Sequence, residues 1–463
     1  MGTAADGVGH GAPWTVVSQG TSVGYEQAKL VDQWEAVLSA GAAYDVEPFL
    51  AAGAHETARA LLALLTEVGT AADLLRASEL LAALLARKGG KAAVMQLLVG
   101  DMQLLAKLAK QLAEMHTQPA GGMYAFQLQD SLSVVVGRML AGLLATPAVT
   151  ESETLSKQLT AYIVAMFAWI TEQLRMREIV ESHYVKSLES LGEILRVEKA
   201  RLLLCDASAE HVKAVAQLVD KEQHHQVQAL YQSVFVLWLL SFAAEPNTVA
   251  AVSKAMDEAF VPRRLCLLLR EVTAEKVVRL CVATLNNLTQ GKFSARLRRE
   301  MVGAGIIKTV EQLCVRRWAD TDILNDMHSL AENLQEEKKQ MSSFEMYHSE
   351  VLSGVLQWTH VHTDDMFWRE NVEKMERSNM EVLRCLVRLL AQSSDPVVLS
   401  VACNDLSMFI KYHPRGRYIA QSLGVKTRLM QLMGAESPEV RRHALNCIQV
   451  LMITHWDHLN TAL

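Results

Sequence analysis

Three features of the sequence predict an all-α fold of stacked helices. The first is spacing. Apolar residues recur every three or four positions in "ETARALLALLTEV" (56–68), "DLLRASELLAALLARK" (73–88) and "DMQLLAKLAKQLAEM" (101–115). That spacing lays one apolar stripe along a helix; a half-buried strand needs alternation, and no convincing run of it occurs. The second is composition. The chain is rich in Ala, Leu and Met, and its 463 residues include only 24 Gly and 9 Pro, so little interrupts a helix. Short breaks such as "RKGGK", "TQPAGG", "ATPAVTESE" and "AEPN" keep the helices short and closely connected.

The third is a repeat. "SSDPVVLSVACNDLSMFI" and "AESPEVRRHALNCIQVLM" align at an offset of 42 residues, which sets Ala402 against Ala444, Asn404 against Asn446 and Leu406 against Ile448. "TAEKVVRLCVATLNNL" (273–288) is a third copy. "REMVGAGIIKTVEQLC" and "IAQSLGVKTRLMQLM" each read as helix, glycine, helix. A period near 42 falls within the roughly 40–47 residues of armadillo and HEAT units. In such a unit the glycine lets two helices meet tightly, the alanine lets neighbouring repeats approach, and the asparagine bonds backbone exposed between repeats. Each unit leaves an apolar face that only the next one covers. The expected architecture is therefore an armadillo/HEAT-like helical solenoid in two blocks, the N-terminal one larger.

Composition also narrows the function. A formal charge of −6 gives no global drive toward nucleic acid or anionic lipid, and no aromatics are interleaved among the basic clusters for base stacking. Seven single cysteines inside apolar helical patterns predict a reduced, intracellular protein that uses them as small core residues. The most apolar stretches, 159–170 and 234–244, fall short of the roughly 20 residues of a spanning helix, so direct membrane insertion is not expected. Residues 1–24 lack the basic start and apolar run of a signal peptide and read as a disordered tail. "RKGGKA" and "TQGKFS" lack the spacing of a phosphate loop, and no GxSxG, HExxH or CxxC occurs. The reading is of a non-enzyme without cofactor or metal.

Motifs in the C-terminal third go beyond architecture. Ser342, Ser343, Phe344 and Tyr347 are followed by Leu352, Gly354, Leu356 and Trp358, then His362, then Phe367, Trp368, Arg369, Glu370 and Asn371, and finally Pro414, Arg415 and Gly416. This succession resembles the H subunit of the vacuolar-type proton ATPase. "LYQSVFVLWLLSF" (230–242) and "VDQWEAVLSAG" (31–41) extend the resemblance upstream. The chain departs from the pattern at His360, where a proline is common, and at Val425, where a second glycine is. The resemblance implies a regulatory component of the soluble, ATP-hydrolysing sector, on the cytosolic face of an acidifying membrane, in contact with other soluble-sector subunits. It implies the E and G subunits of the peripheral stalk as partners of the larger block. The cytosolic part of the membrane-sector a subunit is the implied partner of the smaller one. It also implies that the smaller block inhibits hydrolysis when the sectors separate. The alternative reading is an armadillo adaptor for peptides or proteins unrelated to the pump. An import-type adaptor carries a Trp four residues before each repeat Asn; here those positions hold Val282, Ser400 and Arg442.

The expected organisation is a tail over 1–24, an N-terminal solenoid over 25–341, a hinge over 342–354 and a C-terminal domain over 355–463. Within "LQWTHVHTDDMFWRENVEKM" (356–375) a metal site would enlist His360, His362, Asp364 and Asp365, but a full ligand set is missing. The structural reading makes Phe344, Tyr347, Leu356, Trp358, Phe367 and Trp368 a joint between the blocks, with the histidines and aspartates facing water. Ser393, Asp395, Lys411, Arg415, Arg417, Lys426 and Arg428 form the candidate surface for partner binding or switching.

Overall fold

The computed structural model describes residues 12–40, 46–68, 70–116, 122–175, 181–220 and 227–452. Among these residues the regular structure is helical and no strand occurs, as the spacing predicts. They belong to two compact units, Met1–Ala259 and Phe260–Leu463.

In the first unit the long helix Gly122–Leu144 packs against Ala71–Leu85 on one side and Glu181–Leu195 on the other. The second crossing is tight because Gly137 has no side chain: a Cβ there would lie 2.4 Å from Ser190 Oγ. Ser190 Oγ also donates to Ser133 O at 2.7 Å, which stitches the two helices together. The apolar run of Val227–Leu240 is core, with Val234, Val236, Leu237 and Leu240 fully buried. Among the described residues no single helix is long and apolar enough to cross a membrane.

The expected tail needs correction. Residues 1–11 lie outside the described residues, but Trp14–Val17 is a helical turn and Trp14 is fully buried. Its backbone N–H donates to Asp32 Oδ1 (2.7 Å) and its Nε1 to Glu35 Oε2 (3.0 Å), while the Arg76 guanidinium lies over its ring. A single indole, desolvated and hydrogen-bonded at both polar groups, anchors a segment whose composition reads as featureless.

The second unit carries the repeat. Gly305 and Gly424 adopt φ of 75° and 72° and start the helices Ile306–Cys314 and Val425–Leu432. This left-handed conformation is what a glycine supplies and a β-carbon resists. Ala402 and Ala444 are fully buried where Pro396–Tyr412 packs on Pro438–Met452. Asn404 Nδ2 donates to His362 O at 2.8 Å, the backbone bond expected of the repeat asparagine.

Charged side chains close the helix ends that a short-helix stack multiplies. In the first unit Glu198 Oε1 accepts the N–H groups of Ala244 and Glu245, and Arg201 donates to the carbonyls of Leu195 and Phe242. In the second unit Glu275 Oε1 accepts from Ala319 and Asp320, Arg270 Nη2 donates to Ala304 O, and Arg428 Nε donates to Leu390 O. Cys266, Cys281, Cys385, Cys403 and Cys447 are buried, with Cys205 and Cys314 half-buried, and burial raises the thiol pKa of each.

The segment expected to be the hinge contains a regular helix, Ser343–Ser353. Ser342 and Glu345 cap its start reciprocally and Gly354, at φ 66°, ends it. It packs on Ala295–Gly303 so closely that a Cβ on Gly303 would lie 2.4 Å from the Ser349 carbonyl carbon. Backbone cannot yield there as a side chain can. Gly303→Ala is expected to cost about 1–3 kcal/mol in chemical denaturation. Gly291→Ala, where a Cβ meets nothing within 4 Å, serves as the control and should stay within about 0.5 kcal/mol of the parent.

Candidate functional site

After Gly354 the chain runs without regular structure to a short 3-10 turn, His360–His362, and then enters the helix Asp365–Asn371, capped by Asp364 Oδ1 on Met366 N–H. This path brings His362 under Tyr347 and against Asp405 of the Pro396–Tyr412 helix. His362 Nδ1 lies 3.0 Å from both Asp405 oxygens, and Nε2 lies 3.3 Å from Glu350 Oε1. Tyr347 donates its hydroxyl to Asp405 Oδ2 at 3.2 Å. Asn404 Nδ2 reaches Asp405 Oδ1 at 3.4 Å as well as His362 O.

His362 and Asp405 are 0% exposed, which corrects the expectation that this histidine faces water. His360, two residues earlier, does face it. Burial disfavours charge on His362, but its hydrogen bonds to Asp405 and Glu350 and the charge of both outweigh that, and its pKa is pushed up to about 10. Burial raises the Asp405 carboxyl, against the pull of His362. Burial also raises the Tyr347 phenol, and the neighbouring Asp405 charge adds to it. With two carboxylates against one imidazolium, the geometry is that of a buried ion pair bordered by a half-satisfied Glu350. Among the described residues no group of His, Cys, Asp and Glu is placed to hold a metal.

Around this pair sit most of the expected joint residues. Tyr347 meets Phe367 and Trp368 edge-on at 5.3 and 5.5 Å, and Trp368 Nε1 donates to Val361 O at 3.1 Å. Leu356 is buried with them. Phe344 lies at the margin beneath Lys374. Trp358 is 41% exposed and rests on His443 at 4.9 Å rather than in the core.

The second expected set does not gather into one site. Asp395 caps Pro396–Tyr412 through Val397 N–H, and Ser393 Oγ accepts from Asp395 N–H. Lys411 pairs with Asp365, Arg415 holds both oxygens of Glu376 at 3.2 Å, and Arg428 is bound to the Leu390 carbonyl. Arg417 is half-buried, and its Nε takes no hydrogen bond among the described residues. Lys426 is exposed.

Comparison with known proteins decides what these pieces belong to. A family profile for the N-terminal part of the V-ATPase H subunit matches residues 13–334, and one for the C-terminal part matches residues 340–456. The chain belongs to the V-ATPase H-subunit family. A probable V-type proton ATPase H subunit of Oryza sativa subsp. japonica is 35% identical over 287 residues, 62% of this chain and 61% of that relative. The V-type proton ATPase H subunit of Drosophila melanogaster is 34% identical over 287 residues, 61% of this chain and 59% of its own length. The matched part of the chain thus spans about three fifths of these relatives' length. The Dictyostelium discoideum H subunit is 29% identical over 371 residues, 78% of this chain and 80% of its own length. Among solved structures, an engineered protein is similar over 96% of this chain and 98% of its own, with a TM-score of 0.50 and 15% identity, a likeness of fold alone.

In this member of the H-subunit family the ion pair carries a pH signature. A raised histidine pKa stabilises the fold fully below the ordinary value of 6.5, and that contribution is lost as pH climbs toward 10. His362→Ala strands a buried carboxylate and should cost about 3–5 kcal/mol near pH 6. The gap to the parent, followed by tryptophan fluorescence during denaturation, should narrow as pH rises from 6.5 toward 10. The double change His362→Met with Asp405→Leu leaves no fully buried charge, only the partly exposed Glu350 without its histidine, and should cost less than His362→Ala alone. A gap independent of pH would contradict the ion pair.

Proposed function

We propose that the chain is a non-catalytic regulatory and structural component of the vacuolar-type proton ATPase, peripheral on the cytosolic face of an acidifying membrane. The observation that carries this is the pair of family profiles spanning residues 13–334 and 340–456. In this reading the larger N-terminal block binds the E and G subunits of the peripheral stalk, and the smaller C-terminal block contacts the membrane-sector a subunit. The same C-terminal block suppresses ATP hydrolysis when the soluble sector is free.

Such a role needs a joint, and we locate it beside the Ser343–Ser353 helix, within the Ser342–Gly354 hinge. That helix is gripped on two faces by unlike forces. Tyr347 is tied into the buried His362–Asp405 pair, whereas Ser349 meets Gly303 through close contact and the long Ser353 Oγ to Gly303 O approach of 3.5 Å. Separating the ionic face would strand a buried charge; separating the Gly303 face costs packing, the long Ser353 hydrogen bond and the exposed Arg299–Glu345 pair, whose polar groups water can satisfy. The bend is therefore expected at the Gly303 face, with the helix moving as part of the C-terminal block. For switching contacts, the Ala391–Pro396 loop and the surface from Lys411 to Arg428 remain the proposed region. Arg415 and Lys426 are its test positions, because Arg428 also holds a helix end.

Two measurements test the reading. The chain should co-purify with proton-pump subunits, and its addition to the free soluble sector should lower ATP turnover. Failure of both would remove the assignment. A cysteine cross-link between Ala295–Gly303 and Ser343–Ser353 should keep stalk binding and abolish either activation or inhibition; survival of both activities would place the bend elsewhere. Arg415→Glu with Lys426→Glu should weaken inhibition of the free sector severalfold; unchanged ATPase in both assembled and free sectors would exclude this surface.

A further inference from the structure

A groove of ≈ 470 Å³ opens in the second unit between the helix Val261–Glu271 and the segment that follows Gly354. One wall presents Arg263, Leu267 and Arg270, spaced to share a helix face. The other presents Val355 to Trp358 and the exposed Val397. Leu267, Trp358 and Val397 are 37%, 41% and 44% exposed, so three large apolar side chains line the groove and stay in water. The volume lies in the range of ligand-holding clefts.

The backbone of the second wall is used on one side only. Val355 N–H donates to Ser353 Oγ and Gln357 N–H to Glu350 Oε1. Among the described residues the N–H of Trp358 and the carbonyls of Gln357 and Trp358, on two exposed residues, take no hydrogen bond, whereas Leu356 is buried. Exposed backbone groups left open in this way can pair with an added extended segment.

Charge on the first wall is equally one-sided. The half-buried Arg270 guanidinium donates to Ala304 O at 2.6 Å and Thr309 Oγ1 at 3.4 Å, both neutral acceptors, and no carboxylate pairs with it among the described residues. The Arg263 guanidinium lies against Gly354, whose Cβ would be 2.8 Å from Nη2. The acid on the rim, Asp395, is engaged as a helix cap.

We infer that this groove docks an extended, acidic segment of another component of the pump. The segment bonds the open backbone groups of Gln357 and Trp358 and seats a large apolar side chain among Leu267, Trp358 and Val397. It sets an Asp or Glu near Arg270. The source of the segment rests on the pump assignment; the groove chemistry stands apart from it.

The experiment places a benzophenone amino acid at the exposed Gln357 of the full chain and irradiates the assembled pump after co-purification. The expected adduct is to another protein of the pump, on a peptide holding an acidic residue beside a large apolar one. At the exposed Leu267, Leu267→Glu should lower the yield at least tenfold, and Leu267→Lys should lower it far less. Co-purification without an adduct overturns the groove and leaves the assignment standing; failure to co-purify together with no effect on free-sector ATP turnover overturns both. An adduct to residues 453–463 of the same chain, to a second copy, or to a peptide lacking acids overturns the inference. So do equal effects of the two Leu267 substitutions.

Discussion

The C-terminal core is organised around one buried charge pair, His362 with Asp405. Removing two ions from water is expensive, and their attraction offsets the cost only when every remaining polar site is filled. Here Tyr347, Asn404 and Glu350 fill them. An apolar substitute of the same volume would pack as well but would tolerate a rotated turn or a shifted helix. The pair does not: Asp405 has to face Tyr347 and His362 together, which fixes Ser343–Ser353, the His360–His362 turn and Pro396–Tyr412 in one register. The edge-on contacts of Tyr347 with Phe367 and Trp368 then lock Asp365–Asn371 onto the same arrangement.

That specificity shapes the mechanics. Armadillo-type stacks are elastic because each repeat touches mainly its neighbours, so a bend concentrates where the neighbour contact is weakest. Along the two faces of Ser343–Ser353 the contrast is between ionic bonds inside a desolvated pocket and a glycine-enabled backbone contact at Gly303. Close packing through glycine is rigid while it lasts, yet once opened its polar links, Ser353 to Gly303 and the exposed Arg299–Glu345 pair, can turn to water, whereas the buried charge on the other face cannot.

The repeat was legible because each of its signals is local. A glycine between two helical stripes forces the left-handed φ seen at Gly305 and Gly424, and a small residue at Ala402 and Ala444 permits the crossing. The aromatic-rich stretch at 356–368 pointed to large packed side chains, and Leu356, Phe367 and Trp368 are buried beside Tyr347 while Trp358 stays 41% exposed. What escaped was chemistry hidden by ordinary types. Asp405 lies on the row formed by Val398, Val401, Ala402 and Phe409, all buried. An acid on an apolar stripe demands a buried partner, and that signal was present in "VVLSVACNDLSMFI". Its partner, 43 residues earlier in the chain, was not locatable from spacing. Trp14 escaped for the opposite reason: one aromatic in a featureless stretch says nothing until Asp32, Glu35 and Arg76 are brought to it.

The basic residues show how far composition misleads about surfaces. Clusters of Arg and Lys in sequence invite a partner groove, but a stack of short helices has many ends, each with unpaired carbonyls. Arg201, Arg270 and Arg428 are spent on such ends, and Arg415 and Lys411 on carboxylates within reach. An arginine bound only to carbonyls differs from one bound to a carboxylate, because its hydrogen bonds are filled while its charge is not. In a half-buried site that charge is screened less than at an open surface and acts at longer effective strength. The residue that looks most structural, Arg270, is thus the one best placed to recognise an anion, and the exposed apolar side chains beside it give that anion a direction.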